Sequence, residues 1–258
     1  MKKQKSHSEN GGNTGNIAST VNTTARAKIY KIDGVGVNLE RFRPVRSPEE
    51  KTTLRKELGF SPEDFILIYT AEFIPRKNHR LLFDILPELK AKIPELKVVL
   101  CGKGELWEPY RQLASEHGMD YVTFTGYTKQ VNLYCEICDV CLSTSLQEGQ
   151  GLNLVEAMAC GIPLIASNIR GHSDVIQNGW NGILYDLINK QSFIDAIFLL
   201  YKNPSLRDEM GKRNVAEAQK FSVDSAIDKM SEIYESVFDK MLQCNKLKKT
   251  HGGGDINT

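Results

Sequence analysis

The chain has 258 residues, which is enough for one large domain or two small ones. Its 33 lysines and arginines almost balance its 32 aspartates and glutamates, so its charge favours neither nucleic acid nor an anionic membrane as a partner. Hydrophobic residues make up 41% of the chain. However, no apolar run approaches the ~20 residues of a membrane span, and none follows the basic first residues as in a secretory signal. We therefore expect a soluble, cytoplasmic protein without a transmembrane segment.

Residues 1–27 are predicted to be disordered or to form a linker. Residues 6–25 are rich in Ser, Asn, Gly and Thr, and such a segment cannot bury enough apolar surface to offset its chain entropy. Order is predicted to begin at residues 28–32, which alternate like a short strand. From there, residues 28–243 are predicted to form one domain, and residues 244–258 a flexible tail.

Predicted strands then alternate with predicted helices. Ser47, followed by a proline and two glutamates, is typical of a helix start. Residues 65–70 form a continuous apolar run, as in strands buried on both faces of a parallel sheet. Helical spacing over residues 76–91 leads to a second such strand at 96–100. The alternation continues through residues 105–117, 121–124, 131–136 and 140–143.

The stretch after the strand at 140–143 is typical of a ligand-binding loop. Gly149 and Gly151 allow backbone turns that a side chain would forbid. From Leu152 apolar residues recur at helical spacing until Gly161, and residues 163–166 form a short buried strand. Strand, glycine loop, helix and strand in this order place a ligand at the carboxyl end of a parallel sheet.

The carboxy-terminal part is predicted to be helical. After a short strand at 183–185, helices are predicted at about 190–202, 204–219 and 222–243. Together the elements predict an α/β fold, a doubly wound parallel Rossmann-like sheet with a helical carboxy-terminus.

Two glutamates flank the start of the helix after the glycine loop. Glu148 lies in the loop and Glu156 one to two turns into the helix, with seven residues between them. Free N–H groups and the positive helix end suit a phosphate, and a carboxylate accepts two hydrogen bonds from a vicinal diol. A phosphate between two hydroxyl-rich groups describes a nucleotide sugar. The alternative is that Glu156 is a solvated helix residue and Glu148 an ordinary acid at a helix start.

Residues 147–166 resemble the paired-glutamate signature of the retaining glycosyltransferase family 4, whose members have the GT-B fold of two Rossmann-like domains. The resemblance covers residues 34–238 and only the carboxy-terminal, donor-binding domain. It implies that Glu148 contacts the transferred sugar as the catalytic residue and that Glu156 holds the ribose hydroxyls. It also implies donor binding by five consecutive residues: Gly149, Gln150, Gly151, Leu152 and Asn153.

The loop after the strand at 65–70 carries a basic pair, Arg76 and Lys77. Beside a helix start, an arginine fork and a lysine charge suit a diphosphate, although an ordinary solvated basic pair is the alternative. In the resembling family a Gly-Arg pair precedes this lysine. Lys77 matches the lysine, whereas Glu72 stands in place of the arginine, and we expect Arg76 to substitute for it in donor binding.

Other loops are expected at the same edge of the sheet. Gly102 lies in a glycine turn similar to one in the family, but the turn lacks the third glycine and distant acid of a dinucleotide fingerprint, which argues against a nicotinamide dehydrogenase. The resemblance places Gly126 and Tyr127 near the base, where Tyr127 either stacks on the base or packs in the core. His172 is expected to be a polar residue at a helix start and not a catalyst.

Three of the six cysteines, Cys135, Cys138 and Cys141, recur every third residue, a spacing that also occurs in metal sites. However, Cys141 falls in a predicted strand, and no fourth ligand with metal spacing follows. Buried free thiols behave as small hydrophobic groups. We therefore expect free, buried cysteines and no metal site.

Two functions of different classes fit these observations. The first is the donor-binding half of a glycosyltransferase that moves a hexosyl unit from a nucleoside diphosphate sugar, with retention, to a glycan or lipid-linked acceptor. It implies no cofactor or metal, a separate acceptor-binding subunit or a homo-oligomer, and a cytoplasmic location or one peripheral to the membrane through a partner. The second is a non-catalytic nucleotide-sugar-binding domain or a truncated remnant, because almost nothing precedes the residues that resemble the family's interdomain connection.

Overall fold

The structure, a computed structural model, describes residues 29–32 and 34–251, with side chains up to residue 243. The chain divides into two compact units, residues 1–31 and 32–258. All helices and strands of the described residues lie in the second unit.

The alternating pattern at residues 28–32 does not form the predicted strand. Residues 29–32, which the structure describes, belong to no helix or strand. A short alternating run becomes a strand only when a neighbouring strand completes its backbone hydrogen bonds, and the described sheet offers these residues no partner. The linker predicted at residues 1–27 lies outside the described residues.

Six strands form one sheet in the described part of the chain: β1 (Phe65–Thr70), β2 (Leu96–Cys101), β3 (Val122–Gly126), β4 (Val140–Ser143), β5 (Leu164–Ser167) and β6 (Gly182–Tyr185). They are all parallel, in the order β3-β2-β1-β4-β5-β6. The first three strands therefore run to one side of the sheet and the last three to the other. This confirms the predicted α/β fold with a doubly wound parallel Rossmann-like sheet.

The helices of the described residues are α1 (Pro48–Glu57), α2 (His79–Lys92), α3 (Trp107–Glu116), α4 (Val131–Ile137), α5 (Leu152–Ala159), α6 (Lys190–Lys202), α7 (Pro204–Ala218) and α8 (Val223–His251). Short 3-10 helices occur at Pro75–Lys77 and Gln219–Phe221. Ser47 caps α1 as predicted, since its hydroxyl accepts a hydrogen bond from the N–H of Glu50 at 3.2 Å. The predicted helical carboxy-terminus corresponds to α6, α7 and α8.

The last helix extends further than predicted. α8 continues to His251, past the predicted end at residue 243 and into the stretch interpreted as a flexible tail. Residues 244–250 include lysines and a leucine, which favour helix, and the next glycine follows only at residue 252. The rest of the predicted tail, residues 252–258, lies outside the described residues. Within the part that the structure describes, no helix is both long and apolar enough to cross a membrane.

Two hydrophobic clusters lie on opposite faces of the sheet, and β1 contributes to both. Leu67 and Tyr69 belong to the cluster that includes α2 and α6, whereas Ile66 and Ile68 belong to the one that includes α4 and α5. All four side chains are buried, which confirms the prediction of a strand covered on both faces. Burying one such side chain stabilises the fold by about 1.5–3 kcal/mol, so these contacts hold β1 firmly in the sheet.

The helix predicted at residues 76–91 is interrupted near its start. Pro75–Lys77 is a single 3-10 turn, and Asn78, with φ 51, is in the left-handed region before α2 begins. Asparagine adopts this conformation more readily than most residues. The break leaves the carbonyls of Lys77 and Asn78 free to accept hydrogen bonds from the hydroxyl of Thr144, both at 3.0 Å. It therefore fastens the loop after β1 to the loop after β4.

The segment before α1 is joined to the start of α8. The N–H of Val37 donates to the carbonyl of Phe221 at 2.7 Å, and the N–H of Val223 donates to the carbonyl of Val37 at 3.1 Å. Gly36, with φ 86, permits this approach, because a Cβ there would lie 2.6 Å from the Cα of Val223.

Candidate functional site

The carboxyl ends of β1 and β4 meet at the point where the strand order reverses. The loops after these strands are linked by the N–H of Leu146, which donates to the carbonyl of Arg76 at 2.8 Å. Tyr69, near the end of β1, donates from its hydroxyl to the carbonyl of Lys77 at 2.7 Å. In open α/β sheets, ligands bind in the crevice at such a reversal. Arg76, Lys77 and Glu148 therefore lie at one edge of the sheet, as predicted.

Glu148 is held by two cations and a hydroxyl. The ammonium of Lys77 contacts its Oε1, and Nη1 of Arg76 lies 3.5 Å from its Oε2 while donating to the carbonyl of Gln147 at 2.8 Å. Ser145 donates to Oε1 at 2.6 Å. The side chain of Glu148 is only 8% exposed, whereas that of Arg76 is 45% exposed. The sequence pattern predicted the two cations at a diphosphate, but not their contact with this carboxylate.

Glu148 is ionised at neutral pH although its side chain is buried. Burial raises the pKa of a carboxyl, but hydrogen bonds from Lys77 and Ser145, together with the charge of Lys77, outweigh burial and hold the pKa of Glu148 below its ordinary value. An ionised carboxylate only accepts hydrogen bonds. It therefore suits a ligand that donates them, such as a sugar with its hydroxyls.

The side-chain carboxyl of Glu156 has no hydrogen-bond partner among the described residues. Burial raises the pKa of Glu156 to about 7, and the charge of Arg41 lowers it only in part. The charge of Glu156 also acts on the thiols of Cys101 and Cys141, in β2 and β4. A half-buried carboxyl that lacks partners gains hydrogen bonds when a ligand donates them. The paired glutamates therefore differ in their ionisation and in the hydrogen bonds that the protein donates to their carboxyl groups.

α5 begins beside Glu148 without a side-chain cap. Gly151 precedes the helix with φ 71, and no side chain bonds to the first N–H groups of the helix. An uncapped helix start presents N–H groups and the positive end of the helix dipole to an anion. Leu152, 40% exposed, and the half-buried Asn153 form the start of this helix.

The two other predicted residues of the loop have different roles. Gly149 has no positive φ, and a Cβ there would meet nothing within 4 Å. The expectation that two glycines are required here is therefore right for Gly151 and wrong for Gly149, because only the residue next to the helix turns into the left-handed region. The side chain of Gln150 lies against Gly34, where a Cβ would be 2.0 Å from its Oε1.

A cavity of about 380 Å³ opens beside the ends of β1, β2 and β3. Gly102 is required there, since a Cβ would lie 2.0 Å from the carbonyl oxygen of Ala71. Gly126, at the end of β3, has φ 65. Tyr127 is 80% exposed, so its ring is accessible to a ligand and is not a core aromatic. The lining residues are Thr70, Ala71, Glu72, Cys101, Gly102, Lys103, Tyr127, Thr128 and Val131.

His172 differs from its prediction. It lies in a series of turns after β5 and not at a helix start, and its side chain is fully buried. Its ring bonds to Ser143 and Ser167, at the carboxyl ends of β4 and β5. Sequence reasoning also missed Ser145, which contacts Glu148. The available signal was the run of small polar residues that ends the apolar strand β4.

The described residues contain no group of three or more histidine, cysteine or acidic side chains placed to hold a metal ion. Five cysteines are free and buried, as predicted for them: Cys101, Cys135, Cys138, Cys141 and Cys160. Burial raises the pKa of the Cys101 thiol to about 11. A protonated thiol is a poor ligand and a poor nucleophile, so these side chains serve the core.

The sequence matches the family described as "Glycosyl transferases group 1" over residues 50–216. EpsD of Bacillus subtilis strain 168, named as a glycosyltransferase, is 38% identical over 213 residues, 82% of this chain and 56% of EpsD. N-acetyl-alpha-D-glucosaminyl L-malate synthase of Bacillus anthracis is 30% identical over 190 residues, 73% of this chain and 50% of that enzyme. The chain therefore spans about half the length of these relatives.

Solved structures show the same architecture. HepE of Anabaena, in complex with UDP and glucose, has a TM-score of 0.69 at 23% identity, covering 78% of this chain and 55% of that one. Sucrose-phosphate synthase of Thermosynechococcus elongatus has a TM-score of 0.72 at 25% identity, covering 81% and 53%. In both, the likeness covers about half of the larger protein.

Proposed function

Because the chain belongs to the family of group 1 glycosyl transferases, we propose that it is the donor-binding part of a retaining hexosyltransferase of the family 4 type. Its donor is a nucleoside diphosphate sugar, and its acceptor is a glycan or a lipid-linked sugar, as in the assembly of polysaccharides. One observation carries the proposal: an ionised glutamate and two cations converge beside the uncapped start of α5, at the reversal of the sheet.

The cations and the helix start would bind the diphosphate. Arg76 offers a bidentate fork and Lys77 a point charge, and the main chain from Gly149 to Asn153 leads into the positive end of α5. Charge that develops on the departing diphosphate would be stabilised there, and such electrostatic help is usually the largest contribution to catalysis.

The glutamates would bind the two hydroxyl-rich parts of the donor. Glu148, held ionised in the crevice, accepts hydrogen bonds from the transferred sugar, and Glu156 accepts them from the ribose. The cavity lined by Gly102 and Tyr127, at the same edge of the sheet, would accommodate the base, with Tyr127 available for stacking. HepE, the fold neighbour, binds UDP and glucose in its crystal structure.

We also propose that donor binding needs no metal ion, because Arg76 and Lys77 supply positive charge at the diphosphate. We propose in addition that a separate subunit or a second copy presents the acceptor. A second candidate is a donor-binding domain without catalysis of its own. A neighbouring gene that encodes another Rossmann-like domain would favour the enzyme.

Titration calorimetry of the purified chain with uridine and guanosine diphosphates and their sugars tests the proposal. We expect binding with and without a chelator. Lys77→Met should weaken it about tenfold or more, because a charge-assisted hydrogen bond contributes roughly 1.5–3 kcal/mol. Lys92→Met, on the exposed part of α2 where Lys92 pairs with Glu88, is the matched control. Absence of heat at millimolar concentrations of every ligand would refute donor binding.

A further inference from the structure

His172 lies beneath the loop that carries Glu148, and both of its ring nitrogens have partners. Its Nδ1 is 2.9 Å from the carbonyl oxygen and 3.1 Å from the hydroxyl of Ser167, and its Nε2 is 3.0 Å from the hydroxyl of Ser143. A carbonyl only accepts hydrogen bonds, so Nδ1 carries the proton and Nε2 accepts from Ser143. The ring therefore ties the carboxyl end of β4 to that of β5.

A chain of buried polar groups leads from this ring to Glu148. The hydroxyl of Ser143, whose proton goes to Nε2 of His172, packs 3.4 Å from that of Ser145, which donates to Oε1 of Glu148 at 2.6 Å. The hydroxyl of Ser167 donates to the carbonyl of Ser145 at 2.6 Å. All three serines are fully buried. Ser143, Ser167 and the hydroxyl of Tyr69, at 3.1 Å, thus surround Ser145, and His172 bonds to the two serines.

The turn that carries His172 also packs against the main chain of the Glu148 loop. A Cβ on Gly151 would lie 3.3 Å from Cδ2 of His172, and a Cβ on Gly171 would lie 2.6 Å from the carbonyl oxygen of Glu148. Both glycines have positive φ, 71 and 92. Close contact at these two glycines holds the loop at Glu148 and at Gly151.

The ring is neutral at neutral pH. Burial lowers the pKa of His172 most, and Lys77 lowers it further, while the Ser167 carbonyl and Glu148 act in the opposite direction. A neutral imidazole with its proton on Nδ1 keeps Nε2 as the acceptor that Ser143 needs. The protonation state therefore agrees with the hydrogen-bond geometry.

We propose that His172 is a positioning residue for Glu148: it orients Ser143 and Ser145 and supports the glycine loop, so that the carboxylate is presented to the donor sugar. This role rests on the proposed function, since a presented carboxylate matters only when a sugar binds there. Among the described residues, the ring of His172 bonds to the strand-end serines Ser143 and Ser167, and it acts on the sugar through Glu148.

The first test needs no ligand. The pKa of the Glu148 carboxyl is measured by NMR on protein labelled with ¹³C in its glutamate side chains, with Glu148→Gln for assignment. His172→Phe should move the pKa of Glu148 up towards its ordinary value, because the serine that donates to it is no longer fixed. His172→Gln, whose amide can still accept from Ser143, should stay closer to wild type.

Asn214→Ala is the control for this measurement, since it removes buried hydrogen bonds to Ile162 and Asn181, none of them a partner of Glu148. It should leave the pKa of Glu148 unchanged. If His172→Phe does not fold, Ser143→Ala makes the same test. An unchanged pKa of Glu148 in the folded His172 or Ser143 variant would overturn the proposal.

The second test compares ligands with and without the sugar. His172→Phe should lose about tenfold in affinity for a nucleotide sugar, and no more than about threefold for the matching nucleoside diphosphate. Equal losses for both ligands would contradict a role in presenting Glu148. Failure of the wild-type chain to bind any nucleotide would refute the proposed function, while the carboxyl titration would still decide whether His172 controls Glu148.

Discussion

Glu148 and Glu156 carry the same functional group in different surroundings. Lys77, Arg76 and Ser145 surround the first, whereas the second is half-buried in α5 with no hydrogen-bond partner among the described residues. The first is therefore prepared as an anion before any ligand arrives. Glu156 becomes an anion only by losing solvation free energy, and hydroxyl donors of a ligand would offset that loss.

Replacing each glutamate should affect a different part of the ligand. Glu156→Ala is expected to weaken binding of the free nucleoside diphosphate by about ten- to a hundredfold, because charge-assisted hydrogen bonds worth roughly 1.5–3 kcal/mol are lost. Glu148→Ala should mainly reduce the additional affinity that the sugar contributes. Calorimetry with the diphosphate and the nucleotide sugar separates the two effects. A similar loss of free diphosphate affinity in both variants would contradict the assignment.

The raised pKa of Glu156 predicts how stability depends on pH. Its pKa is about 7 in the folded protein and 4.5 ordinarily, so the folded state binds the proton more tightly. The contribution of this group to the free energy of unfolding is present below pH 4.5 and is lost as the pH rises through 7.

Urea unfolding of wild type and Glu156→Gln at pH 5 and pH 8 measures this contribution. The amide cannot ionise, so the variant should be more stable relative to wild type at pH 8 than at pH 5. Glu148→Gln serves as the control, because the pKa of Glu148 is shifted downwards and its contribution changes in a more acidic window. A stability difference that is the same at both pH values would rule out a buried, protonated Glu156.

Among the elements, those whose signals lie within their own residues are predictable from the sequence. The apolar run of β1 and the serine cap of α1 are local, and both are confirmed. The left-handed break at Asn78 involves Thr144, and the burial of His172 depends on Ser143 and Ser167. These contacts join residues from different strands and loops, so no window of sequence contains them.

The candidate site likewise combines features that the sequence pattern predicts with contacts that it does not predict. That Arg76, Lys77 and Glu148 lie at one edge follows from the parallel sheet, because strand-to-helix loops share that edge. That the cations contact the carboxylate depends on side-chain geometry, which the sequence pattern does not encode. The prediction of a strand at residues 28–32 is wrong for the described residues 29–32 for a related reason. A strand needs a neighbouring strand, and a short sequence pattern does not show whether the rest of the fold provides one.

Gly102, in the loop after β2, and Gly118, after α3, should tolerate side chains very differently. Gly102 and Gly118 both have positive φ, 142 and 61, but only at Gly102 would a Cβ meet backbone, at 2.0 Å from the Ala71 carbonyl oxygen. Gly118→Ala should cost about 1–2 kcal/mol from backbone strain. Gly102→Ala should cost clearly more, because the loops must also separate.

Denaturant unfolding of the two alanine variants tests this difference in free energy of unfolding. A shift in stability that is equal for both would show that the loops at β1 and β2 can move apart without cost. In that case the cavity beside them would be adaptable in shape.

At the level of the whole molecule, sugar transfer depends on how the donor and the acceptor are aligned. In a two-domain glycosyltransferase the donor sits in one domain and the acceptor is presented by the other. Aligning two reactants lowers a barrier by several kcal/mol, and by about 7–11 kcal/mol in the best cases. The described residues form one Rossmann-like sheet, and we propose that residues outside them present the acceptor.

This chain by itself is therefore expected to bind a donor but to transfer little or no sugar. Incubation with a nucleotide sugar and its acceptor, followed by product analysis, measures transfer. Its monomeric state must be shown by light scattering in the same buffer. Turnover at rates typical of enzymes, about 1 per second or faster, by a single unpartnered chain would contradict the expectation.

The backbone hydrogen bonds of Val37 with Phe221 and Val223 have a consequence for circular permutation of the chain. Because backbone hydrogen bonds join the two places, residues 37 and 222 lie about as close as neighbouring strands, roughly 5 Å apart. A short peptide can bridge that gap, so the body from 37 to 222 admits circular permutation, with new termini at an exposed turn such as Gly59, where a Cβ would meet nothing within 4 Å. A permuted chain of this kind should refold with the circular dichroism spectrum and the nucleotide affinity of the same residues in their natural order. A loss of either would mean that the hydrogen bonds of Val37 form only when the chain keeps its natural order.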